Sequence, residues 1–331
     1  MARGRRNNNK MTRRKLQPAV MQMELSVPTG TSYVDLSLCA SLVNRRAYKQ
    51  ENSNWAVGGF EFLAAGAATG TVVIGKLPET WVAENAYTKS LALWNEMQAQ
   101  VLDNEPDIKG KYHDFKVFLD EPMKTEWASS GIQTSTNAAG KILTPFVGDW
   151  TTADFTAAAA PRADWNWSEI QIPNDVTPGV TDDYYLHMLG PDGSDSKGMI
   201  HGYAKSRARP QEQDPNVPNG SGWMTELFDL GNNDEEIRED LEEQNDRPPY
   251  ALLGAATIRE AYVGGSEEFV TPQVHGFCNF TSTTVSSKNN IQGGMFGLGL
   301  MKIVNNTDVQ LSLLVHMVPG DHRGYLVEEL S

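Results

Sequence analysis

Seven basic side chains crowd the first fifteen positions of this chain: Arg3, Arg5, Arg6, Lys10, Arg13, Arg14 and Lys15, with no acidic residue among them. Guanidinium and ammonium groups at that density displace the counterions condensed on a polyanion and bind its phosphates, whatever the base sequence. The rest of the chain has the opposite sign. Of 28 basic and 42 acidic residues overall, the 316 that follow hold 21 basic and 42 acidic ones, a net of −21. Such a body repels a polyanion through its long-range field. The pattern predicts an acidic fold turned away from nucleic acid and an arm, residues 1–18, that reaches into it.

Little else is spaced for chemistry. The chain has no phosphate loop ending in Gly-Lys-Ser or Gly-Lys-Thr, no Gly-x-Ser-x-Gly elbow and no His-Glu-x-x-His helix. Gly297-Leu298-Gly299 precedes a strand pattern rather than a helix, so it reads as a bulge or a close strand approach, not a dinucleotide loop. His113, His187, His201, His275, His316 and His322 stand singly, without the spacing of a zinc site. Cys39 and Cys278 lie far apart in apolar surroundings; they read as packed thiols in a reducing compartment, not as a disulfide framework. The acidic run Asp234–Glu243 lacks the EF-hand pattern and reads as a solvated face, with interface calcium or a host-facing surface as alternatives. Trp165 and Trp167 beside Asp164 and Glu169 allow a sugar platform with a carboxylate pair. Tryptophans of an all-β protein more often belong to its core.

Targeting signals are equally sparse. Asn7, Asn8 and Asn9 break the arm and remove the amphipathic face of a mitochondrial presequence, and no apolar stretch follows the basic residues as in a secretory signal. No apolar run approaches the ~18 residues that span a bilayer. The expectation is a soluble chain without membrane insertion, cofactor or metal.

The elements that must carry the arm are mostly strands. Met21, Met23, Leu25 and Val27 alternate with polar residues, and Val34, Leu36 and Leu38 repeat the period after a Pro28-Thr29-Gly30 turn. Further strands are expected over Thr71–Leu77, Phe115–Leu119, Tyr184–Leu189, Met199–Lys205 and Phe269–Phe280. Leu300–Val304 and Leu311–Met317, joined through Asn305-Asn306-Thr307, read as a hairpin. Helices are expected at Asn85–Leu102, with Tyr87, Leu91, Trp94 and Val101 on one stripe, and at Asp234–Gln244. Long loops cover Ala153–Asp164, Pro191–Lys197 and Pro210–Gly222. At least eight strands joined by long polar loops predict an all-β fold: an antiparallel jelly-roll sandwich over residues 19–331 with one or two inserted helices.

A basic arm leading directly into the first strand of such a fold resembles the capsid proteins of small circular single-stranded DNA viruses that encode a replication protein, the circovirus-like group. The stretches Trp55-Ala-Val-Gly-Gly-Phe-Glu-Phe62 and Met97 to Asp120 carry the likeness. The arm here is shorter, and broken by asparagines, and the body more acidic than in that pattern. The resemblance implies a homo-oligomeric icosahedral virion, sixty subunits to the shell, with the arm on a single-stranded DNA genome and loops facing a host-cell receptor. It also implies that Arg5-Arg6 and Arg13-Arg14-Lys15 serve as a nuclear localisation signal read by the host import machinery, so that assembly takes place in the host nucleus. Self-assembly, not catalysis, is then the function. A single-stranded RNA virus coat protein would share arm and fold, and a carbohydrate-binding or carbohydrate-cleaving β-sandwich is the other alternative.

Overall fold

The computed structural model describes residues 18–50, 52–106, 114–130, 132–133, 142–146, 167–174, 177, 179–206, 261–262, 265–266, 271–282 and 287–330. The fold is mostly β, and two of its sheets form a sandwich. The first sheet contains β1 (Gln22–Val27), β3 (Ser53–Ala64), β14 (Lys288–Gly297) and β16 (Leu311–Met317) in the order β1-β16-β3-β14, with β19 (Val327–Glu329) also on β3. The second contains β2 (Gly30–Asp35), β4 (Gly70–Lys76), β6 (Ile132–Gln133), β7 (Ile142–Leu143), β13 (Gln273–Phe280) and β15 (Leu300–Asn305), in the order β13-β4-β15-β2-β7-β6. Along β16 every second residue, Leu311, Leu313, Val315 and Met317, is buried. Leu25, Phe60, Phe62, Leu313 and Val315 of the first sheet meet Val34, Val72, Ile74, Met301 and Ile303 of the second in one core.

The turn at Pro28-Thr29-Gly30 and the corner predicted as a hairpin at Asn305-Asn306-Thr307 both cross between sheets. β1 pairs with β16 while β2 pairs with β15, and the expected hairpin between β15 and β16 is absent, because β15 lies between β2 and β4 and β16 between β1 and β3. Alternation identifies a strand but not its partner. A buried side chain holds the two corners together. Asn305 Nδ2 donates to the carbonyls of Val27, Pro28 and Val309 at 3.3, 3.2 and 3.1 Å, and its Oδ1 accepts from the backbone and hydroxyl of Thr307.

A third sheet, β5 (Phe118–Asp120), β8 (Glu169–Pro173), β9 (Thr181–Leu189) and β10 (Ser196–Gly198), belongs to the long excursion between β4 and β13. That excursion also holds the helices α2 (Trp81–Asn104), α3 (Glu121–Ser130) and α4 (Met199–Lys205), and the short ribbon of β11 (Ala261–Tyr262) and β12 (Gly265–Ser266); α1 (Leu36–Asn44) instead follows β2. Helix α2 carries out the helix predicted at Asn85–Leu102, capped by Thr80 and buried at Tyr87 and Trp94, although Val101 of the expected stripe is exposed. A last ribbon, β17 (Pro319–Gly320) with β18 (Gly324–Tyr325), closes the C-terminal end.

Two aspartates repeat one device. Asp35 ends β2 and caps α1, its Oδ1 accepting from the backbone of Ser37 and Leu38, so the strand expected to run on through Leu38 becomes a helix at Leu36. Its other oxygen lies 3.3 Å from Lys116 Nζ, with both side chains buried. Asp120 ends β5, accepts from the backbone of Met123 in the first turn of α3, and takes Lys302 Nζ of β15 at 2.8 Å. The insert thus gives a lysine to the sandwich and receives one from it. The phenol of Tyr33, bonded to Asp120, is pushed up by burial and by that carboxylate.

Two other strand expectations change. Only Phe118–Asp120 of the region around Phe115–Leu119 joins a ladder; the Gln50 amide bonds both N–H and C=O of Val117, and Ser168 serves Lys116 in the same way. Met199–Lys205 is helical, packed against α2 and β9, where contacts outweigh a local alternation that fits both periods. Of Phe269–Phe280, Gln273–Phe280 is strand, and Phe269 lies outside the described residues, as do the helix predicted at Asp234–Gln244 and the loops at 153–164 and 210–222.

Candidate nucleic-acid interface

The seven arm cations, Arg3 to Lys15, lie outside the described residues, but the point where the arm joins the fold is defined. The backbone of Val20 is held at both ends. Its N–H donates to Asn44 Oδ1 at 2.9 Å, and its carbonyl accepts from the Tyr325 hydroxyl at 2.6 Å. Asn44 Nδ2 in turn donates to Tyr325 Oη at 2.7 Å, which closes a small ring around the arm root. Lys15, the last of the arm cations, is five residues upstream in the chain.

Four further cations belong to the two loops that build the anchor. Helix α1 ends at Asn44, and Arg45 caps it in the left-handed conformation, φ 53°, with its N–H on the Ser41 carbonyl. Arg46 and Lys49 follow in the same loop. Arg323, also left-handed at φ 51°, sits in the turn between β17 and β18 beside the exposed Asp321. The loops are tied together: Arg323 Nη1 donates to the Ala47 carbonyl, and the Tyr48 hydroxyl donates to the Arg323 carbonyl at 3.0 Å. Arg45 and Arg323 are exposed, Arg46 and Lys49 half-buried. On a body carrying −21, this is a local concentration of positive charge contiguous with the arm.

Beneath the cations lies an aromatic floor. Tyr48, Trp55 and Tyr325 are fully buried, with ring centroids 5.5 to 6.1 Å apart, and His322 covers them at 6.0 Å from Tyr48 and 5.7 Å from Trp55. Burial pushes the Tyr325 phenol up to about 12, against the Asn44 hydrogen bond. Burial also raises the Tyr48 phenol, with Arg46 and Arg323 pulling it down. These rings fix the loops and, being buried, offer no face on which a base could stack.

The other candidates resolve differently. Trp167 is buried and stacks on Phe118 at 4.2 Å and 19°, so it is a core residue and cannot serve as a sugar platform; Trp165 and Asp164 lie outside the described residues, and Glu169 is exposed on β8. His187 is buried with Nδ1 against the Leu189 carbonyl at 2.8 Å, and burial lowers its pKa. His201 faces Asp192 at 3.0 Å, His316 faces Glu61 at 3.3 Å, and His275 meets the Gln292 carbonyl at 2.9 Å. Among the described residues no three His, Cys, Asp or Glu side chains converge to hold a metal ion. His113 and the acidic run at 234–243 lie outside them.

Cys39 and Cys278 are free and buried. Burial raises both thiols, that of Cys278 to about 11. Gly297-Leu298-Gly299 forms a tight corner between the sheets, with Leu298 at φ 56° and Gly299 at φ 70°; a Cβ on Gly299 would lie 3.1 Å from both Leu36 and Trp55. No helix among the described residues is long and apolar enough to cross a membrane.

Sequence reasoning missed Arg45, Arg46, Lys49 and Arg323. The run Arg45-Arg46-Ala47-Tyr48-Lys49, three cations without an acid, was a usable signal in so acidic a chain. Arg323 had none, because only the fold brings it beside Ala47. Fold and site together define a β-sandwich protein with a cationic arm root. No family model matches the chain, nor does any curated protein or solved structure.

Proposed function

We propose that this chain is a viral capsid protein that self-assembles and packages single-stranded DNA through its N-terminal arm. The observation that carries the reading is the placing of Arg45, Arg46, Lys49 and Arg323 in the loops that hold Val20, the root of an arm whose sequence carries +7 ahead of a body of −21. Assembly follows from charge: arms of many copies neutralise phosphate, the polyanion gathers subunits, and the acidic bodies face away from it.

Strand order supports a jelly roll for the sandwich. Counted in chain order, the eight sandwich strands β1, β2, β3, β4, β13, β14, β15 and β16 pair as first-eighth-third-sixth and fifth-fourth-seventh-second. Two nested Greek keys produce that order, and the architecture recurs in viral shells. In a sixty-subunit shell the arms would bring about 420 positive charges to a genome whose capsid gene alone has about 1,000 phosphates, so small cations or polyamines complete the neutralisation. The two basic clusters of the arm, Arg5-Arg6 and Arg13-Arg14-Lys15, double as a nuclear-import signal.

The test is negative-stain electron microscopy of the purified full-length chain with absorbance at 260 and 280 nm, followed by DNase or RNase digestion of the extracted nucleic acid. Closed particles holding DNase-sensitive strands are expected. RNase-sensitive contents would move the reading to an RNA virus coat, and a dispersed chain without nucleic acid across salt and pH would overturn it. Replacing the seven arm cations by Ala should abolish packaging and nuclear entry while the body stays folded.

A further inference from the structure

Proteins usually protect the edges of their sheets with charge, above all lysine, because an open edge invites a second chain. One border of this sandwich departs from that rule. From Phe269 to Met301 the chain holds a single charged residue, Lys288, where its own average of 21% would place about seven. That stretch contains β13 and β14, which are the terminal strands of the two sandwich sheets, so among the described residues neither has a strand on its outer side.

The two strands form one continuous border. β13 and β14 approach closely where glycines allow it: a Cβ on Gly276 would lie 2.6 Å from the Ile291 side chain, and one on Gly294 would lie 2.7 Å from the His275 ring. His275 links the sheets across this seam, bonding the Gln292 carbonyl at 2.9 Å with its ring 4.9 Å from that of Phe296. Lys288 is neutralised within the subunit by Glu61 at 2.8 Å. On the outside stand Val274 and Phe277, 61% and 66% exposed, the two most exposed large apolar side chains among the described residues.

We infer that the β13–β14 border is a contact surface for a second copy of this chain, centred on Val274 and Phe277. The charge distribution selects that occupant. Bodies of −21 repel one another, and copies approach at least cost where both present an uncharged face. A strongly basic or acidic partner finds no complement here. The bulge between Val274 and Gly276 interrupts the regular ladder, so the contact rests on the two apolar side chains and not on continued strand pairing. The inference rests on the capsid reading for the identity of the partner.

The test compares full-length wild type with Phe277→Glu and Val274→Glu, and with the milder Phe277→Ser, by sedimentation velocity and electron microscopy. Circular dichroism checks that each folds. Expected is a folded protein whose assembly needs at least about tenfold higher concentration for Phe277→Glu, a smaller shift for Phe277→Ser, and Phe277 oxidised by hydroxyl radicals in the dispersed chain but protected in assemblies. Normal particles from folded Phe277→Glu would overturn the surface while leaving the capsid reading intact. A wild-type dimer that Phe277→Glu disperses, in a protein that never closes shells, would do the reverse. Protection of Phe277 in the dispersed wild-type chain would show that the chain covers this edge itself, and would also overturn the inference.

Discussion

The Tyr325 hydroxyl donates a 2.6 Å hydrogen bond to the carbonyl of Val20, a residue 305 positions earlier in the chain. The last part of the protein therefore holds the root of the first. Tyr325→Phe removes this bond and the one from Asn44, both part-buried, and is expected to cost about 1–2 kcal/mol in urea denaturation. It also changes the alkaline limb. The folded pKa of about 12 lies above the ordinary value of 10.0, so the phenol's contribution is whole below pH 10 and is lost as pH rises toward 12. Wild type should lose stability more steeply than Tyr325→Phe in that window.

Salt dependence measures the arm root. Replacing Arg45, Arg46, Lys49 and Arg323 together by Gln should lower the slope of log K against log salt for single-stranded DNA by about 0.7 for each cation that meets a phosphate, up to about 3. Filter binding or fluorescence anisotropy at several salt concentrations reads it. An unchanged slope would confine binding to the arm.

The buried pair of Asp35 and Lys116 predicts a strongly non-additive cycle. Lys116→Met strands a buried carboxylate and should cost about 3–5 kcal/mol, while Asp35→Asn with Lys116→Met should recover at least half of it, because asparagine still caps α1. Chemical denaturation of the single and double variants checks this. Additive losses would mean that the pair is not coupled.

Asn305→Asp tests the corner clamp. The carboxylate would face the carbonyls of Val27, Pro28 and Val309 without a proton to donate, at a cost of about 3 kcal/mol. Those carbonyls and burial raise the new carboxyl above its unfolded value, so the loss is smallest in acid and grows as pH rises through the folded pKa. Thermal denaturation from pH 4 to 8 shows the trend.

Gly293→Ala would set a Cβ 2.0 Å from the Val57 carbonyl oxygen. Backbone must move to relieve it, and a loss of about 3 kcal/mol is expected in denaturant unfolding. A neutral outcome would show that β3 and β14 can separate at that point without penalty.

The chain by itself determined the charge division between arm and body, the strands β1, β4, β9, β15 and β16, and helix α2, because these depend on composition and on local period. Cys39 and Cys278 were legible as packed thiols for the same reason. What tertiary structure decided is partnership. Alternation in Leu300–Val304 and Leu311–Met317 says that both are strands with one buried face, yet it is silent on which sheet each joins, and the Asn305 clamp sends them to opposite ones. The Asp35 cap turned Leu36 and Leu38 into a helix through hydrogen bonds that a period of two does not register. Trp167 went to the core because it stacks on Phe118, a contact within the insert between residues distant in sequence that no local period registers. The cations around Val20 illustrate the same division: Arg45, Arg46 and Lys49 are neighbours along the chain, whereas Arg323 joins them only because Tyr48 and Ala47 bond its backbone and side chain across 275 residues or more. Periodicity reports how each segment meets water. Which segments meet each other is set by packing among all of them at once.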